Sequence, residues 1–195
     1  MHHGLWKAGQ EHLSKEAAQI ALVEELRLHA QLPPAGPVTV LDVGCGVGGT
    51  SIHLATTLGE RCRVTGVTLS TAQVAFATAD AASAGVAARV AFHEGDGERL
   101  DEMPALAGRE GSFDAVWISE ALSHFVNKDK FFAQAHKFLK PGGKLVLVRA
   151  RGGGARRCRF ARSLARPHPP LRAPAAARRP TGSAPTTSPP STPMA

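Results

Sequence analysis

Val38-Thr39-Val40-Leu41-Asp42-Val43-Gly44-Cys45-Gly46-Val47-Gly48-Gly49-Thr50-Ser51 is the stretch that decides the fold of this 195-residue chain. Five of its first six residues are apolar or β-branched, which predicts a short buried strand. Four glycines then fall within six positions, and apolar residues with helical spacing follow at Ile52, Leu54, Ala55 and Leu58. A strand, a glycine turn and a helix in this order let the backbone approach a bound nucleotide closely.

Two kinds of ligand are compatible with the glycine turn. The spacing Gly44-x-Gly46-x-x-Gly49 matches the fingerprint of dinucleotide sites, and Asp42-x-Gly44-x-Gly46-x-Gly48 matches a second pattern equally well. A dinucleotide site has an acidic residue about 20 positions further on, where this chain has Thr68. The Asp42 carboxylate would also repel a pyrophosphate. It suits S-adenosylmethionine, which carries a sulfonium, an ammonium group and no phosphate. A tight turn without a ligand is the remaining alternative.

The charge of the chain is unevenly distributed. The formal net charge is +7, but residues 150–195 hold nine arginines and no acidic residue, so the first 149 residues carry a net charge of −2. A general affinity for nucleic acid is therefore not expected of the main part of the chain. Cys45, Cys62 and Cys158 are too few and too irregular to predict a disulfide framework or a zinc site. No apolar run approaches the roughly 20 residues of a membrane span, and the N-terminus lacks a signal-peptide pattern, so we expect a cytoplasmic protein.

The remaining pattern predicts an α/β fold with a Rossmann-like, doubly wound parallel sheet. Further helices are predicted over residues 15–32, from Ser70 to Gly85 and after Asn127, with N-caps at Ser14, Ser70 and Asn127. Strands are predicted at residues 38–43, 63–67, 89–93, 113–118 and 144–148, the last one after a Pro141-Gly142-Gly143 turn. Residues 94–111 are expected to form a polar connection with one helical turn near residues 102–107.

Polar residues and glycines follow the predicted strand ends. They are the turn at residues 44–49, Thr68, Asp96 and residues 119–124. Ligands of such sheets bind outside the carboxyl ends of the strands. We therefore expect these segments to meet in one crevice.

Four motifs resemble those of the class I S-adenosylmethionine-dependent methyltransferases. They are Leu41-Asp42-Val43-Gly44-Cys45-Gly46, Gly95-Asp96-Gly97, Ser112-Phe113-Asp114-Ala115-Val116-Trp117 and Leu139-Lys140-Pro141-Gly142-Gly143-Lys144-Leu145. A narrower resemblance, to the tocopherol and sterol C-methyltransferase group and its small-molecule relatives, is carried by His3-Gly4-Leu5-Trp6, Gly66-Val67-Thr68-Leu69-Ser70 and residues 117–125. The resemblance implies S-adenosylmethionine as cofactor and C-, N- or O-methylation of a small-molecule acceptor. It stops near Val148: five strands are recognisable, and the last two strands of the family are missing.

The resemblance also implies which residues bind the cofactor. Asp42 and the glycine loop would border its methionine part, with Cys45 as a small buried residue and not a nucleophile. Asp96 would accept a hydrogen bond from the adenine amino group, and Gly97 would flank the ring. At the end of the second strand, many members of the family have an acidic residue that contacts the ribose, whereas this chain has Thr68. The predicted cofactor residues are Asp42, Gly44, Cys45, Gly46, Gly48, Thr68, Leu69, Asp96, Gly97 and Ser119.

Glu120 and His124, four residues apart after the fourth strand, are the predicted catalytic pair. They would share one face if this loop continues as a helical turn, and the resemblance implies that such a segment lines the substrate cavity. We expect His124 to orient or deprotonate the acceptor, with Glu120 as its partner; the alternative is a partly exposed histidine at a helix start. One such pair provides too few ligands to predict a metal site. Sterols, prenylated phenols, alkaloid amines and quinones all remain open as acceptors.

The two ends of the chain differ from its middle. Residues 1–36 are expected to form an N-terminal helical cap segment, residues 37–149 the cofactor-binding core, and residues 150–195 a disordered tail rich in Arg, Pro and Ala. His2, His3 and Trp6 form either part of a lid or a loose terminus. The abrupt change of composition after residue 149 is typical of a shifted reading frame or a retained intron, and a natural low-complexity tail is the alternative. The fifth strand would then be an exposed apolar edge, for which we expect low stability and weak turnover.

Two other functions stay open at this point. The first is an NAD(P)-dependent oxidoreductase with a Rossmann fold, which Asp42 and Thr68 disfavour. The second is a non-catalytic protein whose basic tail binds nucleic acid electrostatically. The main part of the chain predicts no specific nucleic-acid partner, and the sequence leaves the oligomeric state open.

Overall fold

The computed structural model describes residues 4–148, in which five parallel strands form one sheet. In chain order the elements are α1 (Lys15–Ala30), β1 (Val38–Val43), α2 (Gly49–Leu58), β2 (Cys62–Thr68), α3 (Thr71–Ser83), β3 (Val90–Glu94), β4 (Phe113–Ser119), α4 (Lys128–Phe138) and β5 (Leu139–Val148). The strand order β3-β2-β1-β4-β5 puts the first strand at the centre. The predicted Rossmann-like, doubly wound fold is confirmed. The predicted tail, His2 and His3 lie outside the described residues.

Two apolar layers cover the faces of the sheet. On one face, α1, α2 and α3 bury side chains such as Leu26, Leu54 and Ala77 against the strands. On the other face, α4 and the connection after β3 bury Phe131 and Leu106 among their neighbours. Parallel strands that are covered on both sides read as nearly continuous apolar runs, which is why the sequence pattern located them.

The predicted N-caps are confirmed at all three helices. The Ser14 hydroxyl accepts a hydrogen bond from the Ala17 amide at 3.1 Å, the Ser70 hydroxyl from the Gln73 amide at 3.4 Å, and the Asn127 side chain from the Lys130 amide at 2.9 Å. These contacts satisfy amides that have no partner inside their own helix.

The first helix is shorter than predicted. It ends at Ala30 and not at residue 32, because Gln31 adopts a left-handed conformation with φ of 49° and terminates it. The predicted boundary at residues 36 and 37 falls in an exposed loop, yet Leu22 and Leu26 are buried in the same core as the sheet. The helical cap segment therefore packs as a layer of the fold.

The start of β5 corrects a second prediction. The strand runs from Leu139, whereas a turn at residues 141–143 and a strand from residue 144 were expected. Phe113 pairs with Leu139, and the next recorded pair joins Ala115 to Lys144, so the extra residues between these pairs form a bulge. Lys140 on this bulge donates to both carboxylate oxygens of Asp114, at 2.9 and 2.8 Å. The Pro-Gly-Gly sequence thus bends the strand without interrupting it.

The connection between β3 and β4 contains two short 3₁₀ turns, Leu100–Glu102 and Pro104–Leu106, where one helical turn was predicted. At the other side of the sheet, β5 pairs with β4 and is an edge strand among the residues described. The low stability expected for this edge stays a prediction. Within residues 4–148, no helix has the length and apolar character needed to cross a membrane.

Candidate functional site

The loops that follow the strand ends enclose a cavity of about 530 Å³. The predicted convergence of four segments at the carboxyl edge is thereby confirmed. The cavity is lined by all predicted site residues except Gly48 and Asp96. The sequence-predicted residues that line it are Asp42, Gly44, Cys45, Gly46, Thr68, Leu69, Gly97, Ser119, Glu120 and His124.

The glycine turn is shaped by its contact with the neighbouring strands. The Gly44 amide donates to the Val67 carbonyl at 2.8 Å, which fixes the turn against the end of β2. Gly44 has a φ of 74°, and a Cβ there would lie 2.3 Å from the Cβ of Ala121. Only glycine therefore lets the loop after β1 approach the loop after β4 this closely.

Gly48 has a packing role that the sequence did not indicate. A Cβ at this position would lie 2.6 Å from the Phe92 ring and 2.8 Å from the Ala77 side chain. The absence of a side chain at Gly48 thus lets the turn pack closely against β3 and α3. It also precedes the first residue of α2, which has no side-chain N-cap.

Asp42 is a buried carboxylate at the end of β1, with 1% of its surface exposed. The Ser51 hydroxyl donates to its Oδ2 atom at 2.7 Å. Burial raises the pKa of Asp42 from 3.8 to about 6, although the bond from Ser51 opposes the rise. Because Asp42 also lines the cavity, it presents a poorly solvated carboxylate to a ligand, which favours a cation.

Cys45 is not an activated thiol. Burial, reinforced by the charge of Asp42, raises the pKa of Cys45 far above its ordinary value. The thiol therefore stays protonated at neutral pH and cannot act as a nucleophile there. This agrees with the prediction of a small residue within the turn.

Thr68 and Gln73 form a polar pair at the end of β2. The Thr68 hydroxyl donates to Oε1 of Gln73 at 2.6 Å, and both side chains line the cavity. With its oxygen engaged, Gln73 offers N–H donors to a ligand. A local sequence pattern does not reveal this role, because the Ser70-to-Gln73 spacing also fits a capping box. The Gln73 backbone amide donates to Ser70, and the Gln73 side chain accepts from Thr68.

Asp96 lies beside the cavity between two glycines that follow β3. Its Oδ1 accepts from the Glu98 amide at 2.9 Å, and Arg99 lies 4.0 Å from Oδ2. Gly95 and Gly97 line the cavity, whereas Asp96 itself does not. The predicted contact of Asp96 with an adenine amino group stays a prediction.

Glu120 and His124 both line the cavity, on a turn that differs from the expected one. Glu120 has a φ of 60° and precedes a 3₁₀ turn, Ala121–His124. Because Glu120 lies before the turn in a left-handed conformation, the two residues are not related by the regular rotation of an α-helix, which would place residues four apart on one face. The α-helical turn that was expected to place them on one face does not form, but both residues line the same cavity.

Ser119 has a defined partner next to this turn. The indole N–H of the fully buried Trp117 donates to the Ser119 hydroxyl oxygen at 3.0 Å. This bond satisfies a buried donor and fixes the position of the Ser119 side chain at the cavity.

Several residues of the cavity were not predicted. Gln19 comes from α1, Thr50 from the first turn of α2, and Phe125 from the loop before α4. The Phe125 ring packs edge-to-face on Phe131 at 5.0 Å, so the apolar stripe of α4 supports the wall of the cavity. Only the apolar character of Phe125 beside the predicted turn could have signalled this from the sequence.

The N-terminal segment is held by hydrogen bonding within itself and to α1. Trp6 donates to the Leu13 carbonyl at 3.2 Å, the Leu5 amide donates to the Ala18 carbonyl at 2.7 Å, and Trp6 is not a lining residue of the cavity. In the part of the chain that the structure describes, no three His, Cys, Asp or Glu side chains come together as a possible metal site.

Comparison with known proteins identifies the family. A family model described as a methyltransferase domain matches residues 40–143, more than half of the chain. This chain belongs to that methyltransferase family. The match begins within β1 and includes the glycine turn, three of the four motifs completely and the first five residues of the fourth.

This chain is similar in sequence to named methyltransferases. Over 153 residues the chain is 35% identical to a probable chloroplastic tocopherol O-methyltransferase from Oryza sativa, covering 76% of this chain and 40% of that protein. A 27-O-demethylrifamycin SV methyltransferase from Amycolatopsis mediterranei is 36% identical over 147 residues, covering 75% of this chain and 50% of that protein. The chain spans half the length or less of these curated relatives.

Solved structures share the fold of the methyltransferase domain. A geranyl diphosphate C-methyltransferase from Streptomyces coelicolor, solved with Mg²⁺, geranyl diphosphate and S-adenosyl-L-homocysteine, has a TM-score of 0.64 and 27% identity, covering 76% of this chain and 57% of that one. The cyclase SpnF has a TM-score of 0.65 and 30% identity, covering 76% and 51%.

Proposed function

We propose that this chain carries the S-adenosylmethionine site of a methyltransferase that acts on a small-molecule acceptor. One observation carries the proposal: the buried Asp42 carboxylate, beside a glycine turn, faces a cavity whose described lining residues include no lysine or arginine. A carboxylate that has lost its water is stabilised by a cationic ligand and destabilised by an anionic one.

The donor set fits S-adenosylmethionine better than a dinucleotide. A pyrophosphate would approach the N-terminus of α2, where Ser51 binds the Asp42 carboxylate. An anion at that position would meet a second negative charge. At the end of β2, where dinucleotide sites place an acidic residue, the uncharged pair Thr68 and Gln73 faces the cavity. The NAD(P)-dependent oxidoreductase is therefore the weaker candidate.

The proposed roles follow from the positions of the side chains. Asp42 and the turn from Gly44 to Gly48 would hold the methionine part of the cofactor, with Gly48 acting from behind through packing. Thr68 and Gln73 would meet the ribose. The segment of Asp96 and Gly97 would meet the adenine. Leu69 and Ser119 would complete the contact, as predicted from the sequence.

S-adenosylmethionine supplies an electrophilic methyl group on a positively charged sulfur when it is bound. The chain then has to align the acceptor and to exclude water. His124, at the cavity wall, would orient the acceptor and accept its proton where the acceptor atom carries one, with Glu120 as the partner of His124. Phe125, supported by Phe131, would shield the reacting atoms from solvent.

The acceptor class is proposed from the relatives. Their names specify tocopherol, norajmaline, 27-O-demethylrifamycin SV and a phytyl hydroquinone as the molecules concerned. We propose an acceptor among such lipid, phenolic or secondary metabolites, with the cytosol as the location. SpnF, a cyclase with the same fold, illustrates that the fold alone does not decide the reaction, so methyl transfer has to be measured directly.

Isothermal titration of the full chain with S-adenosylmethionine and with NAD tests the proposal. We expect saturable binding of S-adenosylmethionine, none of NAD, and at least a tenfold loss of affinity in Asp42→Asn. Binding of NAD in preference to S-adenosylmethionine would overturn the assignment. Incubation with labelled cofactor and a panel of phenols, amines and prenylated quinols, followed by detection of one added methyl group, then identifies the acceptor.

A further inference from the structure

A hydrogen bond between Ser51 and Asp42 connects the two sides of the glycine turn. Asp42 is the last residue but one of β1, and Ser51 is the third residue of α2, so one hydrogen bond joins the two elements that flank the loop. Ser51 is 0% exposed and Asp42 is 1% exposed, and the Oγ atom of Ser51 lies 2.7 Å from the Oδ2 atom of Asp42. No motif of the sequence predicts this contact.

Other groups around Asp42 do not replace this bond. In the sheet, Asp42 is flanked by Gly66 of β2 and Trp117 of β4, and the Trp117 indole donates to Ser119. The titratable groups that share the cavity with Asp42 are Cys45, Glu120 and His124. Among the described residues, the side chain that donates a hydrogen bond to this carboxylate is thus Ser51.

We infer that Ser51 is a positioning residue of the cofactor site, which holds the Asp42 carboxylate in place as the anionic partner of the bound cation; this inference rests on the proposed function. The Ser51 hydroxyl donates to Oδ2, and Asp42 also lines the cavity, so the carboxylate keeps acceptor sites for a ligand while one of its oxygens is held from the side of α2. A hydrogen bond to the charged form of an acid favours that form. Ser51 therefore acts on the ligand through Asp42 and need not touch it.

The pH dependence of binding distinguishes this role from simple packing. Burial raises the pKa of Asp42 to about 6 despite the bond from Ser51. Without the hydroxyl, the carboxylate becomes charged only at higher pH. A packing defect would instead weaken binding by the same factor at every pH.

Two titrations of the full chain between pH 5.5 and 8.5 test the inference. The first follows the ¹³C signal of the Asp42 carboxyl without ligand, in the natural chain and in Ser51→Ala. We expect the midpoint to rise by about one pH unit in the variant. The second measures the affinity for S-adenosylmethionine, which should fall about fivefold to tenfold at pH 5.5, about threefold at pH 6.5, and change less than twofold at pH 8.5.

Matched variants keep the test decisive. Ser51→Thr retains a hydroxyl and should restore the natural midpoint, and Ser83→Ala, at an exposed serine of α3, should leave it unchanged. If Ser51→Ala does not fold, Ser51→Cys, whose thiol is a weaker donor, should give an intermediate shift. An unchanged Asp42 midpoint in the variants that lack the hydroxyl overturns the inference. A natural chain that binds no S-adenosylmethionine at any pH overturns the proposed function instead, and the carboxyl titration still reports on Ser51.

Discussion

Replacing Asp42 by asparagine should stabilise the ligand-free chain at neutral pH. Burial raises the pKa of this carboxyl from 3.8 to about 6 in the folded chain. At 1.36 kcal/mol per pH unit, the difference corresponds to about 3 kcal/mol of lost stability once the carboxyl is charged in both states. Asparagine has a similar shape, carries no charge, and its carbonyl can accept the bond from Ser51.

The sign of the effect depends on pH. Below pH 3.8 the carboxyl is protonated in the folded and the unfolded chain, so its ionisation does not affect stability. As the pH rises to about 6, the unfolded chain loses this proton first, and the free energy of unfolding falls. Above pH 6 the destabilisation is constant. The gain from Asp42→Asn should therefore be only about 0.5 kcal/mol near pH 4 and reach up to about 3 kcal/mol at pH 7.5.

Urea denaturation followed by circular dichroism at several pH values measures this gain. In a chain of this size, each kcal/mol of added stability should raise the Tm by roughly 2–4 °C. Asp80→Asn, at an exposed aspartate of α3, is the matched control and should change stability by less than about 0.5 kcal/mol at each pH. Equal destabilisation by Asp42→Asn at pH 4 and pH 7.5 would refute the reasoning, since the carboxylate would then be a structural group.

Three further predictions concern the turn, the acceptor and the bulge. In urea titrations, Gly44→Ala should lower the free energy of unfolding by about 2–4 kcal/mol, because the backbone has a positive φ and the new Cβ would collide with Ala121. Gly46→Ala should lower it by about half as much, because φ is also positive there but the new Cβ would meet open space. His124→Ala should reduce kcat/KM at least a hundredfold for an acceptor that loses a proton and change the calorimetric affinity for S-adenosylmethionine less than threefold. Although burial opposes it, the bonds from Lys140 and Thr39 lower the pKa of Asp114, so Lys140→Met should cost about 1 kcal/mol at neutral pH and progressively less as the pH falls below 4, in acid-unfolding curves.

The elements that the sequence predicted well depend on short-range physics. Apolar runs located the strands because both faces of the sheet are covered, and Ser14, Ser70 and Asn127 marked helix starts through bonds to amides three residues on. The meeting of four loops followed from topology, because the ends of parallel strands share one edge of the sheet.

The features that escaped prediction depend on partners distant in the sequence. The early start of β5 rests on the pairing of Phe113 with Leu139 and on the bond between Lys140 and Asp114, neither of which a local pattern contains. The packing role of Gly48 depends on Phe92, which lies two strands away in the sheet. Gln73 had a sufficient local explanation as part of a helix cap, and this explanation concealed its second role.

Asp42 and Ser51 together separate two effects that a single variant would confuse. If the carboxylate is retained for ligand binding, its charge destabilises the free chain and stabilises the complex. Asp42→Asn should then raise stability and lower affinity. Ser51→Ala should lower both, because it removes a bond and leaves the charge buried with less support. Loosened packing alone would lower the stability of both variants. If one variant is more stable and the other less stable, while both bind more weakly, the loss of binding follows from the charge of Asp42.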